Sequence, residues 1–419
     1  MRRAVGSGTV RPATLSRVRV LICPDKFGGT LSATEVAAAV ATGWAAAASM
    51  DDCVLRPLSD GGPGFVAVLA AALGGRRVPV PTTDPIGRPV TGEILLVPAG
   101  GSPAAPVGTV EVGPTAYVES AQACGLHLLG RTERDPKRTT SYGLGLLVTA
   151  AVEAGVRRIV VGLGGSATND GGAGLLAALG AAPLDAAGYA LPYGGAALVD
   201  AATLAGPPRL RDVALVAATD VDHPLTGPYG ASNVFGPQKG ASRSDILLLD
   251  AALGRFAKVL QKALPTCPPG LADLPGAGAA GGLGAAFLAL GARRESGIAL
   301  VSRHVGLAAA LDEADLVITG EGSFDQQSLR EKVVGGVAAA ARERGRPCLV
   351  LAGRVGVGRE EAAAAGVTAC YSLVDHFGGP EAGGESEARA RPADGLRELG
   401  ARLARQWSRS DSAHPPTTT

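Results

Sequence analysis

Lysine is scarce in this chain: there are six in 419 residues, at positions 26, 137, 239, 258, 262 and 332. None is followed by Ser or Thr, which excludes the nucleotide-binding loop that closes on Gly-Lys-Ser or Gly-Lys-Thr. Aromatic residues make up only 4% of the chain, too few for base-stacking platforms. Lys+Arg (39) and Asp+Glu (38) nearly cancel, so no field draws the chain to nucleic acid or an anionic membrane. The six cysteines include no CxxC pair, and the five histidines no HxH or HExxH, so a zinc site is not expected and the thiols read as free groups of a reducing cytosol. No apolar run of 18 residues offers a membrane span. Arg2 and Arg3 precede no apolar stretch of the secretory type. Gly-x-Ser-x-Gly is absent around Ser166, which has no evident His partner, and this disfavours triad hydrolysis.

What is abundant is glycine, 61 residues, much of it in loops that come after strand-like runs. The chain is longer than one core usually holds, so two domains are expected. Arg17 to Cys23 reads as a first strand, and Ser32-Ala-Thr-Glu35 as a capping box opening a helix to about Met50. Val54-Leu55 begins another strand. Residues 76–119 mix Val- and Thr-rich runs with Pro and Gly breaks and read as β-hairpins. Further strands are expected at 158–161, 213–218, 314–319, 347–352 and 368–374, with helices at 65–73, 141–154 and 329–344. Residues 265–285 are read as a loop or boundary. The alternation of strand, Gly-rich polar loop and helix predicts parallel α/β sheets that bind ligands at strand carboxyl ends, with a second domain from the β-rich middle. The expected division is 17–75 with 295–406, and 76–294, with loose tails at 1–16 and 407–419.

Five polar loops carry the chemistry. They are Pro24 to Thr30, Ser59 to Gly62, Gly164 to Gly172, Asp220 to Pro224 and Thr319 to Ser328. Each contains a carboxylate at an expected strand end, and strand ends of one sheet converge. Glycines let backbone N–H groups approach an anion. Clustered carboxylates are costly without a cation, and Mg²⁺ with substrate phosphates meets that cost. Gly162-Leu-Gly164-Gly-Ser-Ala167 also matches the dinucleotide fingerprint, but the acidic residue required some twenty positions on has only Asp185 as a candidate, in a loop-like region.

The segments PDKFGGTLSA (24–33), SDGGPG (59–64), TTSYGLG (139–145), GLGGSATNDGGAG (162–174), DVDHPLTGPYGASNVFGPQKGA (220–241), PGAGAAGGLG (275–284) and TGEGSFDQQS (319–328) occur in order, and together they resemble bacterial class I glycerate kinases over about residues 17–405. The resemblance implies ATP- and Mg²⁺-dependent phosphorylation of D-glycerate in the cytosol, usually to 2-phosphoglycerate, with 3-phosphoglycerate the other product to consider. It implies two α/β domains with the active site in the cleft between them. One is a Rossmann- or flavodoxin-like parallel sheet built from both chain ends, and the other a smaller domain from the middle. A monomer or homodimer is expected, with no nucleic-acid or membrane partner.

On this reading Asp170 orients or deprotonates the attacking hydroxyl, and Asp60, Asp220, Glu321 and Asp325 contact Mg²⁺ or substrate, the metal set being Asp60, Asp170 and Glu321. Lys26, Lys239 and Lys332 neutralise phosphate or carboxylate. Gly164, Gly165, Ser166 and Thr168 cradle an anion, and Asp25 and Asn169 join the substrate site. The chain departs from the family pattern at Gly28, where lysine is usual, at Pro63 for Glu, and at Glu331 for Gly. Two other readings stand beside it: a nucleotide- or sugar-acid-binding protein that lost catalysis through Gly28 and Glu331, and an NAD(P)-dependent oxidoreductase resting on the GLGGSA fingerprint.

Overall fold

The computed structural model describes residues 17–100, 113–210, 212–331 and 333–408. Its strands, in chain order, are β1 (Arg19–Ile22), β2 (Asp52–Leu55), β3 (Arg76–Thr83), β4 (Pro89–Val97), β5 (Thr115–Glu119), β6 (Arg158–Gly162), β7 (Pro183–Leu184), β8 (Thr203–Leu204), β9 (Ala214–Ala218), β10 (Arg293–Glu295), β11 (Leu316–Phe324), β12 (Cys348–Val355) and β13 (Ala369–Ser372). One sheet has the order β13-β12-β11-β1-β2 and is parallel throughout. Counted along the chain this is 2-1-3-4-5, the doubly wound order whose crevice opens where connections diverge, here between β1 and β11. Strands β1 and β12 show why the sheet lies inside. Arg-Val-Leu-Ile and Cys-Leu-Val-Leu-Ala are near-continuous apolar runs, as a sheet covered on both faces requires.

The second sheet has the order β10-β9-β6-β5-β4-β3. Strands β10, β9, β6 and β5 are parallel, whereas β4 and β3 form the expected antiparallel hairpins. The fold is therefore α/β, as expected, with two large sheets and a two-stranded one, β7-β8; the middle of the chain supplies the six-stranded sheet and both chain ends the five-stranded one. One apolar cluster joins the two. It contains Leu21, Val317 and Val350 from the first sheet, Tyr117, Val160 and Val216 from the second, and Phe65 and Leu69 from the helix Phe65–Leu73 between them. Fully burying a side chain of this size stabilises by about 1.5–3 kcal/mol.

Local signals behave as their chemistry dictates at Ser32, where the capping box forms: Glu35 Oε2 accepts from Ser32 N at 2.8 Å and Ser32 Oγ accepts from Glu35 N at 3.3 Å. The helix it opens, Ala33–Ala47, lies against the terminal helix Pro392–Trp407. Trp407, placed by the sequence reading at the start of a tail, instead closes that helix; positions 1–16 and 409–419 lie outside the described residues. The two helices meet on glycine. A Cβ on Gly43 would stand 1.9 Å from the Arg397 carbonyl oxygen, and one on Gly400 2.5 Å from that of Val40. Gly43→Ala must push backbone apart, and we expect it to lower unfolding free energy by about 1–3 kcal/mol in chemical denaturation. An unchanged midpoint would show that the helices separate at no cost.

Two segments differ from expectation. Strand β11 does not end at Thr319 but runs through Gly320-Glu321-Gly322 to Phe324, paired with β12 as far as Val355. Glycine is read as a loop signal, yet here it permits close strand approach: a Cβ on Gly320 would lie 2.0 Å from Leu351 O. Residues 265–285 are not simply a loop, because the helix Ala279–Ala289 starts there, with left-handed Ala280, Gly281 and Gly282 in its first turn. No helix among the described residues is long and apolar enough to cross a membrane.

Candidate active site

The crevice between β1 and β11 opens into a cleft of about 560 Å³. Asp25, Lys26, Phe27, Gly28 and Thr30 enter it from the loop after β1, and Asp60 from the loop after β2. Glu321 and Ser323 stand on the extended end of β11, and Asp325 comes directly after it. Of the expected site residues the structure therefore brings together Asp25, Lys26, Asp60, Glu321 and Asp325. A second groove, about 620 Å³ and bounded by Tyr142, Tyr193 and Ile86, contains none of them.

The loop after β1 is held by backbone. Asp25 N donates to Gly320 O at 2.8 Å, and Thr319 Oγ1 donates to Cys23 O at 2.9 Å. Lys26 then projects between two carboxylates, with Nζ 3.4 Å from Asp25 Oδ2 and 3.6 Å from Asp60 Oδ1. Burial alone disfavours its charge, but Asp60 and Asp25 together hold its pKa above the usual lysine value. Asp25 is 6% exposed. Burial pushes its carboxyl up to about 6, with Asp60 adding to the rise while Lys26 and the Lys26 N–H oppose it. The ion pair and the raised pKa pull in opposite directions, and burial wins because nearly all water is excluded. Asp325 Oδ1 accepts from Gln327 N at 2.9 Å.

The rest of the expected set lies elsewhere. Asp170 is fully buried outside the cleft. Its Oδ2 accepts from Ser141 N at 2.8 Å, Ser141 Oγ at 2.9 Å and Gly174 N at 3.2 Å, and its Oδ1 from Gly172 N at 3.1 Å. This carboxylate holds two chain turns together and does not line the cleft where the expected base or metal ligand would stand. Lys239 is 2% exposed and donates to Thr168 O at 2.6 Å and Ser166 Oγ at 3.0 Å; burial lowers its pKa to about 7. It binds the 166–168 loop to the second sheet's lobe and does not face the cleft. Asn169 Nδ2 donates to Ser232 Oγ at 2.9 Å, inside the same lobe. Asp220 accepts from Ser296 Oγ and, at 3.0 Å, from Ile298 N, which commits it to the start of the helix Gly297–His304.

Gly164 and Gly165, expected to cradle an anion, are packed closely against the Asp60 loop. A Cβ on Gly164 would lie 2.7 Å from Gly62 Cα, and Gly165 has φ +68° beside Pro63. The dinucleotide fingerprint also fails, since the helix after β6 starts only at Ala173, ten residues beyond Leu163. Lys332 lies outside the described residues, as does the side chain of Glu331.

The cleft also holds two arginines that the sequence does not single out, Arg354 at the end of β12 and Arg389 on the helix Gly384–Ala390. The strand-then-glycine pattern before Arg354 is the same signal that marks the other site loops; Arg389 carries no local signal. Among the described residues no three Asp, Glu, His or Cys side chains converge to hold a metal, so the expected set of Asp60, Asp170 and Glu321 does not form. Carboxylates line the cleft without thiol or imidazole, a donor set suited to Mg²⁺ completed by substrate phosphates.

Comparison with known proteins agrees with this architecture. The family model described as the glycerate kinase family matches residues 20–408. The glycerate 2-kinase of Escherichia coli (strain K12) is 40% identical over 371 residues, covering 86% of this chain and 92% of that protein. A glycerate kinase of Bacillus subtilis (strain 168) is 41% identical over 361 residues, covering 85% and 90%. A crystal structure of a candidate glycerate kinase 2 from Salmonella typhimurium LT2 superposes with a TM-score of 0.72 at 38% identity, covering 93% of this chain and 98% of that one. With its doubly wound sheet, its crevice of carboxylates and cations, and these relatives over nearly its whole length, the chain belongs to the glycerate kinase family.

Proposed function

We propose that the cleft transfers the terminal phosphoryl group of ATP, with Mg²⁺, to a hydroxyl of D-glycerate, giving 2-phosphoglycerate. The observation that carries the reading is the Asp25–Lys26–Asp60 cluster at the switch point of the doubly wound sheet. Phosphoryl transfer asks little covalent chemistry of a protein and much positioning and charge neutralisation. Lys26, Arg354 and Arg389 supply positive charge for phosphate and for the glycerate carboxylate. Asp25, ionised near neutrality with its pKa at about 6, accepts the proton of the attacking hydroxyl. Asp60 or Glu321 would hold Mg²⁺ through its phosphate-bound form, and the ion supplies neutralisation of the phosphate charge. Position 2 rests on the E. coli relative, named a glycerate 2-kinase.

The test is a coupled ADP-release assay with ATP, Mg²⁺ and D-glycerate, the product read by phosphorus NMR. Turnover to 2-phosphoglycerate is expected. A 3-phosphoglycerate product overturns the position assigned, and no turnover from folded, nucleotide-binding protein overturns the activity.

Gly28 offers a second test. It lines the cleft, and a Cβ there meets nothing within 4 Å. Gly28→Lys places a further cation near Lys26. We expect KM for ATP or D-glycerate to fall by up to about fivefold, the ~1 kcal/mol of a solvent-exposed ion pair. Both KM values unchanged would show that this loop does not reach the anions.

A further inference from the structure

The helix Phe65–Leu73 begins at Gly64, which has φ +96° and no side chain with which to cap it. A helix start leaves orphan N–H groups that a buried chain must satisfy. Here the acceptor comes from the other sheet. Glu119, the last residue of β5, is 5% exposed, and its Oε2 accepts from Gly64 N at 3.0 Å and from Val66 N at 3.3 Å. A carboxylate at this end also complements the helix dipole.

The capped helix is continuous with the Asp60 loop. Gly62 O accepts from Phe65 N at 3.1 Å, and Asp60 Oδ1 accepts from Gly62 N at 3.0 Å. Asp60 in turn stands 3.6 Å from Lys26 Nζ. The loop has little freedom on its other sides: a Cβ on Gly61 would lie 2.8 Å from Ala218 O, and one on Gly297 2.4 Å from Asp60 O. An unbroken set of contacts thus runs from the end of β5 to the cation of the cleft.

We propose that Glu119 is a positioning residue for phosphoryl transfer, fixing Asp60 and through it Lys26 by capping, from the six-stranded sheet, the helix after the Asp60 loop. The proposal rests on the activity given above. Glu119 does not line the cleft, so it acts through these contacts and not on substrate. Burial pushes its carboxyl up to about 7, opposed by the Val66 and Gly64 N–H groups and by Lys26, with Glu93 adding to the rise. The two N–H bonds and Lys26 favour its ionised form against that burial.

The experiment compares Glu119→Ala, Glu119→Asp and Glu119→Gln with the parent, whose turnover of D-glycerate is established first so that failure of the activity is seen separately. In Glu119→Ala kcat is expected to fall about 10²-fold, the scale of a misplacement of order 1 Å, with both KM values within about threefold. Amide hydrogen exchange across 59–66, measured without substrate, accelerates in the same variant. Glu119→Gln keeps an oxygen acceptor and restores kcat to within about fivefold. Glu119→Asp is one methylene too short to reach both amides and falls between; it decides the matter if the alanine variant does not fold. Normal kcat in Glu119→Ala or Glu119→Asp, unaltered exchange at 59–66, or a Gln variant as poor as Ala would each overturn the proposal.

Discussion

Lys26→Ala is expected to lower kcat/KM by roughly 10²- to 10³-fold, about 2.7–4 kcal/mol, the cost of removing one preorganised group aimed at developing charge. The loss comes from scarcity and placement. The chain has six lysines, and among the expected site lysines within the described residues Lys26 reaches the cleft whereas Lys239 is sequestered. Its ammonium separates Asp25 from Asp60, so its removal leaves the Asp25 carboxyl facing a like charge without the cation that lowers its pKa. The pH profile must therefore change in a known direction. Asp25 titrates at about 6 with Lys26 present, and without it the acid limb of kcat/KM moves to higher pH. Arginine at this position carries the charge but not the compact ammonium that fits between two carboxylates, and restores little. Activity close to that of the parent, or an acid limb that does not move, would remove Lys26 from the mechanism.

Lys26 is legible in the sequence for a reason that also explains what is not. Asp25, Lys26 and Asp60 lie in loops behind parallel strands, and the parallel strands of one sheet deliver their carboxyl-end loops to one edge. Topology turns one-dimensional order into convergence without needing any side-chain detail. Glu321 and Asp325 reach the expected edge for the same reason, although Glu321 sits on an extended strand and not in a loop.

The stretch from Gly164 to Asp170 is ambiguous in sequence because its composition serves two purposes equally well. Glycines, hydroxyls, an amide and a carboxylate build a phosphate cradle, and the same groups build a tight backbone crossing with buried caps. Asp170 with four accepted hydrogen bonds and Gly164 against Gly62 belong to the second kind. Burial decides between them, and burial is a property of the assembled chain. Lys239 is hidden from sequence on the same ground. Arg389 escapes for a complementary reason: a polar helix gives no sign of which of its charged residues faces a cleft built by distant strands. Glu119 reads in sequence as the end of a strand, and its partners Gly64 and Val66 lie more than fifty residues upstream.

Asp25→Asn separates catalysis from stability more sharply than any other change in the cleft. As the proposed proton acceptor, Asp25 contributes the 10²–10⁴-fold typical of a positioned base, and we expect kcat/KM to fall by about that factor. The parent should show an acid limb with a midpoint of about 6, where activity is lost as Asp25 takes up its proton, and the variant should lack it. Stability runs the other way. The folded-state pKa is raised from 3.8 to about 6, so the protonated carboxyl is the form the fold favours. That favourable contribution is fully present below pH 3.8 and is lost as pH rises through about 6, which leaves an ionised, buried carboxylate as a cost at pH 7–8. Asn keeps the shape and an oxygen acceptor for the Lys26 N–H at 2.7 Å without that charge, and Asp60 remains as a counterion for Lys26. Thermal unfolding measured from pH 4 to 8 is therefore expected to give an Asp25→Asn variant whose Tm advantage over the parent grows through pH 6 while its activity is all but abolished. A variant less stable than the parent at pH 7–8 would show that the Asp25–Lys26 attraction outweighs desolvation, and an acid limb surviving the substitution would assign the proton to another group.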